Sequence, residues 1–469
     1  MMNNVGLIVV LSCFTLAALA IGPHELLVLA NERSSNSIEI AREYAALRRI
    51  PEINVVPLNL PGPVGGAVEI TAADFVTYIW TPALRAMRER GIGDHILAWA
   101  YSTDFPTTVK TAPTMSIQGM TFLRTGRAPP DRVEKGTYGS PLFAGPNPAV
   151  QGSEMHPSAT LDTFSEWLRE DMPAPSMMLG YTGERGNTKE TVLKCLRRGV
   201  ASDRTWPSGT VFFVTSADVR STCRQWQFAG ASQELRQLGV RSEVTRTFPA
   251  GRADIMGVMM GSSTVDPGKS NRYLAGSMAE HLTSMAGVFQ SEGQTKLSVW
   301  IEAGVAGSAG TVVEPMSAWP KFPSARFYVH YANGCSMIES FFQSIRCPLQ
   351  ILLVGDPLAR PWAPTNATLR LEGLPGEPVS GTLKVRAEVK SEPGRGYRRF
   401  LYLLDGRAVG RDQELVLDTS PLREGPHELR VVAYGVGLVR DQLFVEKTIS
   451  VGRSRKTEVG SRKSEVGGQ

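Results

Sequence analysis

Cysteine and histidine are both scarce. Five cysteines and six histidines are spread over 469 residues. There is no CxxC pair and no Cys/His spacing of the kind that holds zinc, so no metal or cofactor is expected. Cys13 lies in an apolar N-terminal run, which leaves Cys195, Cys223, Cys335 and Cys347. A continuous helix between Cys335 and Cys347 would hold their Cα atoms about 18 Å apart. A disulfide spans less than roughly 7 Å, so that pair is excluded. Scattered cysteines of this kind pack as small apolar side chains. Charge of one sign is also lacking. The net charge is +5, and no basic stripe is interleaved with aromatics, so nucleic acid is not an expected partner. The glycines at 304, 307 and 310 match no nucleotide fingerprint. They read instead as places of close backbone approach.

Long apolar runs are missing with one exception. Residues 5–20 are apolar, but the run is shorter than the ~20 residues that cross a bilayer. Ala18-Leu19-Ala20 has the small-x-small form of a cleavage site. Residues 1–20 therefore read as a signal peptide, although no Lys or Arg precedes the run. The expectation is an exported chain starting at Ile21, in the periplasm, cell envelope or extracellular space. It would have no integral membrane segment after cleavage.

What remains is ordinary for a soluble protein: 42% apolar and 20% charged residues, enough chain for two or three domains. HELLVLAN, a capped helix from SSNSIEIAREY, and INVVPLNL begin an α/β pattern from His24 onward. Residues 75–90 are helical and DHILAWAYST is a buried strand ending near Asp104. Residues 106–175 are rich in Pro, Gly and Thr, and only 161–169 looks helical. A stretch this long with so little structure is either functional or an arm packed over the sheet edge. SMMLGYTGERGNTKETVLKC, TVFFVTSADVRS and ELRQLGVRSEVTR continue the alternation. IMGVMMGSS and LAGSMAEHLTS are two further strands. Leu297, Trp300 and Ile301 lie on a short helix ending near Gly304. AGSAGTVV is a small-residue strand, and Asn333 can cap a helix carrying Met337, Ile338, Phe341, Phe342 and Ile345 on one face. ILLV then ends at Gly355-Asp356-Pro357. Strand, crossover helix and strand imply parallel pairing, with Glu314 and Asp356 at neighbouring carboxyl ends. After Trp362 the helical periodicity stops. Six short strands between Gly, Pro and Asp turns predict a β-sandwich over 364–451 that folds on its own. Residues 452–469 are polar and Gly-rich and read as a disordered tail.

AGVAGSAGTVVEP, KFP, GCSMIESFFQS and GDPLARPW together resemble an uncharacterised family of exported bacterial proteins found with exosortase (PEP-CTERM) sorting systems. The core in turn resembles gingipain-type, caspase-like cysteine peptidases, which also end their catalytic domain on a GDP-containing strand. The resemblance implies a caspase-like, mostly parallel α/β domain over 21–363, followed by the immunoglobulin-like β-sandwich. Those peptidases place His-Gly after one apolar strand and Cys at the end of the next. Here Met259-Met260-Gly261-Ser262 and Ala279-Glu280-His281-Leu282 stand at those ends, so both members of the dyad are missing. Cysteine peptidase activity is not expected. Gly183-Glu184-Arg185 resembles a Gly-Arg step of the peptidases, which makes Arg185 a candidate binding residue.

The carboxyl edge implied by these strands gathers Asp104, Ser262, Ser263, Glu280, His281, Glu314 and Asp356. Ser262, His281 and Asp356 are candidates for nucleophile, base and orienter. Asp104, Glu280 and Glu314, with Arg185, are candidates for binding. Acids at strand ends also serve to bond backbone amides, which is the competing reading for Glu280 and Asp356. Three functions fit. The first is a cell-envelope factor that binds an extracellular polymer or an exported protein through the old cleft. The second is a hydrolase rebuilt around His281. The third is a structural surface protein whose cleft is filled by 106–175.

Overall fold

The structure is a computed structural model that describes residues 21–146, 157–162, 164, 173–268, 270–376, 378–393 and 396–452. The expected leader, His156, most of the expected 161–169 helix and all of the expected tail but Gly452 lie outside the described residues.

Ten strands form one sheet. They are β1 (Leu26–Asn31), β2 (Val55–Leu58), β3 (Ala98–Tyr101), β4 (Ser176–Met178), β5 (Thr210–Val214), β6 (Arg241–Thr245), β7 (Ile255–Gly261), β8 (Tyr273–Leu282), β9 (Gly307–Thr311) and β10 (Ile351–Gly355). Their spatial order is β2-β1-β3-β4-β10-β9-β8-β7-β5-β6. The first four pair in parallel with one another, and so do β5 to β9. Both groups are wound alike: the second strand lies on one side of the first, and the later strands on the other. Crossover helices return the chain along the faces, chiefly α1 (Ser35–Arg48), α2 (Thr81–Arg90), α3 (Lys189–Ser202), α4 (Phe228–Gln237), α5 (Ser298–Ala303), α6 (Arg326–Ala332) and α7 (Met337–Ser344). Most strand residues are buried on both faces, which is why they read as continuous apolar runs.

β10 corrects one expectation. It runs antiparallel to β9, with Gly307 opposite Gly355 and Thr311 opposite Ile351. Its carboxyl end thus lies at the amino end of β9, where Asp356 N–H donates to Ala306 O (3.0 Å). Two helices, α6 and α7, separate β9 from β10, so the connection returns to the edge it left. The helix cap is also different: Ser336 caps α7 in a box with Glu339, while Asn333 ends α6. β10 meets β4 through one residue pair, Val354 and Met178. The gap is closed by Gln118, whose amide donates to Leu353 O (2.8 Å) and accepts from Leu353 N–H (2.9 Å). Gln118 lies on a helix, Ile117–Phe122, inside the Pro/Gly-rich segment. That segment also contains a helix at Pro130–Glu134 and short strands at Thr108–Lys110 and Met115–Ser116. Its described part is an arm packed over β10 rather than a loop.

Seven strands follow: β11 (Ala367–Glu372), β12 (Thr382–Ser391), β13 (Tyr397–Leu404), β14 (Arg407–Gly410), β15 (Glu414–Asp418), β16 (Gly425–Gly435) and β17 (Gln442–Val451). They form antiparallel sheets β11-β12-β15 and β14-β13-β16-β17. Val385, Tyr402, Leu415 and Val431 lie between these sheets. The outer face of the four-stranded sheet carries a second apolar cluster, Leu401, Leu403, Val432 and Tyr434. It packs against the α/β domain: His24 Nε2 lies 2.9 Å from Tyr434 Oη, and Arg430 donates to Arg49 O (2.6 Å).

Candidate functional site

The predicted Ser262, His281 and Asp356 do not come together. His281 ends β8 and is fully buried. Its Nδ1 accepts from Trp300 Nε1–H on α5 (2.8 Å), and its Nε2 faces Thr295 O (3.1 Å). Those partners fix the neutral tautomer with its proton on Nε2. Burial pushes the ring down to about 4. No ring nitrogen is left to take a proton from a nucleophile. Ser262 donates to Thr264 O (2.6 Å) just beyond β7. Asp356 is at the opposite edge because β10 is reversed. There it accepts from Tyr44 (2.7 Å) and from Arg48, at the carboxyl end of α1. Arg48 also pairs with Asp203, which caps the end of α3. A buried carboxylate saturated in this way ties two helices to the sheet. The rebuilt hydrolase site around His281 is therefore not formed by these residues.

Glu280 and Glu314 likewise have structural partners. Glu280 points to the face opposite His281 and pairs with the buried Arg224 (2.5 Å). Burial pushes its carboxyl up to about 7 against the pull of Arg224. Glu314 is exposed and accepts from Met316 N–H (2.9 Å). The expected role of the small residues in β9 fits the packing. A Cβ at Gly310 would meet the backbone of Ala286 at 2.7 Å, and one at Gly307 would meet Met337 Sδ at 2.1 Å.

Asp104 and Arg185 do border hollows at the carboxyl ends of strands. Asp104 follows β3 in a left-handed conformation (φ 59°), one that Asp tolerates better than most residues. Its carboxylate accepts from Ser34 Oγ, from Thr182 Oγ1 (2.5 Å) and from Thr103 Oγ1 (3.3 Å). Its carbonyl accepts from Asn31 Nδ2 (2.9 Å). Asn31 ends β1, and Ser34 caps α1. The winding of the first strand group reverses between β1 and β3, which is where open α/β sheets form a ligand crevice. A hollow of about 440 Å³ opens there, lined by Asn31, Arg33, Ser34, Asp104, Phe105 and Tyr181. Asn31 and Ser34 were missed as site residues, although the strand-Asn-helix pattern was visible.

A neighbouring hollow of about 530 Å³ is lined by Arg185, Asn187, Ser291, Gln294, Lys296 and Glu302. Arg185 donates to Phe289 O (3.1 Å) and pairs with Glu292 (2.9 Å). The loops after β4 and β8 meet between the two hollows. Tyr181 stacks on Phe289 with ring centroids 3.9 Å apart, and Gln290 Nε2 donates to Tyr181 Oη (3.0 Å). A larger hollow, about 1160 Å³, lies elsewhere, between α1 and the sandwich. Among the described residues, no three His, Cys, Asp or Glu side chains are placed to hold a metal, and no helix is long and apolar enough to cross a membrane.

No family model matches the chain, and no curated protein matches it. One solved structure it is similar to contains the fibronectin(III)-like modules of Clostridium thermocellum CbhA. That similarity has 24% identity and a TM-score of 0.16, over 23% of this chain. It spans 54% of the other chain, about half its length.

Proposed function

We propose that this chain is an exported binding protein that holds a hydroxyl-rich polymer along the carboxyl edge of its large sheet. In this reading the core is caspase-like and gingipain-like, without the Cys–His dyad, and works in the exosortase-associated setting its motifs suggest. The observation that carries the binding reading is the Asp104 hollow. A carboxylate, an amide, hydroxyls and the Arg33 guanidinium converge beside the Tyr181 ring. Alternating acceptors and donors beside an aromatic face match a polyol. The parallel neighbours β7 and β8 support the peptidase comparison, since that family uses two such strand ends. No cysteine stands at either strand end: Cys195, Cys223, Cys335 and Cys347 lie on other elements and form no disulfide. Burial raises all four, the opposite of what a reactive thiolate needs.

Ile21 supports the export reading. Its N–H donates to the buried Glu339 carboxylate (2.9 Å). Cleavage after Ala20 would convert that N–H into an ammonium facing the same carboxylate. The structural-protein alternative needs 106–175 to fill the cleft. In its described part, that segment instead packs on α7 and β10, where Ala144 N–H donates to Gln343 O and Ser116 N–H to Leu349 O.

Calorimetric titration of the mature protein with acidic and neutral exopolysaccharides tests the proposal. Asp104→Ala should weaken binding by about tenfold or more, the loss of one charged hydrogen-bonding group. Unchanged affinity in a folded Asp104→Ala protein, or capture of peptides only, overturns it.

A further inference from the structure

We propose that Ser291 and Lys296 form a nucleophile–base pair that hydrolyses carboxylic esters. Lys296 Nζ lies 2.8 Å from Ser291 Oγ and 3.0 Å from Met285 O. Among the described residues, no carboxylate pairs with this lysine, although it is only 4% exposed. A buried ammonium without a counter-charge is costly, which favours the neutral amine. Burial, with Arg185 nearby, lowers Lys296 below the usual lysine range. The other charged groups on the hollow are Arg185, Glu292 and Glu302. Arg185 is held by Glu184 and Glu292, and Glu302 accepts from Thr191 Oγ1 (3.1 Å), so neither acid is spent on Lys296. Ser291 is half-buried and lines the open hollow. It sits in a tight loop, with Gly293 at φ 87° two residues later. At rest the Ser291 hydroxyl donates to Val288 O (3.0 Å) while its oxygen accepts from Lys296 Nζ, so the hydroxyl must turn from that carbonyl to the neutral amine before a desolvated lysine activates it.

The chemistry balances with water as the only co-reactant. Ser291 Oγ attacks the ester carbonyl carbon and gives its proton to Lys296 Nζ. The tetrahedral intermediate collapses, the C–O bond to the alcohol breaks, and the alkoxide leaves with the proton from Lys296. Water then attacks the acyl-Ser291 ester and passes a proton to Lys296. The carboxylic acid departs as that proton returns to Ser291 Oγ. The substrate class is an O-acyl ester, and the activity does not depend on the Asp104 hollow.

A phosphonofluoridate probe, which esterifies activated serines, tests this on the intact mature chain. Intact mass and peptide mapping should show one adduct, on Ser291, and p-nitrophenyl acetate should be hydrolysed. Ser291→Ala should remove both signals. Lys296→Arg keeps a cation that can donate the same hydrogen bonds, but guanidinium stays protonated. It should slow labelling by roughly 100-fold or more, the usual scale of general-base catalysis. A merely structural lysine would leave labelling unchanged in Lys296→Arg. A folded wild-type protein that takes no label, or an equal adduct on Ser291→Ala, overturns the proposal. Loss of polymer binding in Asp104→Ala with labelling intact would separate the two readings.

Discussion

His281 and His427 are both almost fully buried, and their surroundings push the two rings in opposite directions. Around His281 one ring nitrogen meets a donor, Trp300 N–H, and the other meets an acceptor, Thr295 O. Around His427 both meet acceptors, Asp405 Oδ2 (2.7 Å) and Arg423 O (2.8 Å), and the imidazolium is favoured. Those contacts raise His427, the Arg423 carbonyl foremost. The stability that His427 adds is present in acid and is lost as pH rises through its elevated folded value. His281 has the opposite sign. Its folded value is about 4 against an ordinary 6.5, so its contribution is whole above 6.5 and is lost as pH falls toward 4. Melting temperature against pH checks this: His281→Gln should lower Tm at pH 7 and flatten the acid-side fall between those values. The sequence showed that His281 ends an apolar strand beside an acid. It did not show that helices cover both faces, so that Trp300 takes one side of β8 and Arg224 the other. Ser291 and Lys296 were less visible still. They lie in a polar loop with no periodicity, and only folding makes that lysine buried.

At the scale of elements, the strands were legible because each is an apolar run between turn residues. Strand direction was not, because a run of four apolar residues reads the same both ways. The error at β10 came from α6. All its residues are buried, so it shows no polar face and no helical period. Counting one helix where there are two turned a return into a crossover. The strand β14 was missed although Asp405-Gly406 precedes it, with φ 48° and 79°, an Asp-Gly hairpin turn with both residues left-handed. The β4–β10 seam carries a prediction at this scale. Gln118→Leu keeps similar bulk but leaves the N–H and C=O of Leu353 unpaired in the core. Each such group costs about 1–3 kcal/mol, so urea unfolding should show a loss of at least that order. Gln118→Glu should restore only the bond from Leu353 N–H.

At the scale of the whole molecule, the composition break at Pro364 was legible as a boundary, and the two-sheet module lies beyond it. The contact across that boundary was not legible, because alternation in β13 and β16 marks an apolar face without naming what covers it. Leu401, Leu403, Val432 and Tyr434 form that face, and Arg430 and Arg49 share Glu446 behind it. Residues 364–452 expressed alone should therefore fold with β-type circular dichroism but bind a hydrophobic dye and self-associate. Tyr434→Glu should restore a monomer, as read by light scattering. A dye-negative monomeric fragment would show that the face is not apolar enough to need the first domain.

The reversed strand β10 has a further consequence for how the chain is made. The ribosome delivers β1 to β9 first, and in the finished sheet β4 and β9 both wait for the same neighbour, Ile351–Gly355. Until that pentapeptide emerges, the nascent chain has two unpaired edges facing one slot, each a template for pairing with other chains. Asp356, one residue beyond the slot, then finds Arg48, which was made 308 positions earlier. Closing contacts over such separations is slow. The hazard is sharpest after Thr311 is made and before Ile351 emerges, so a holding chaperone, or passage across a membrane before folding, would serve this chain best during that interval.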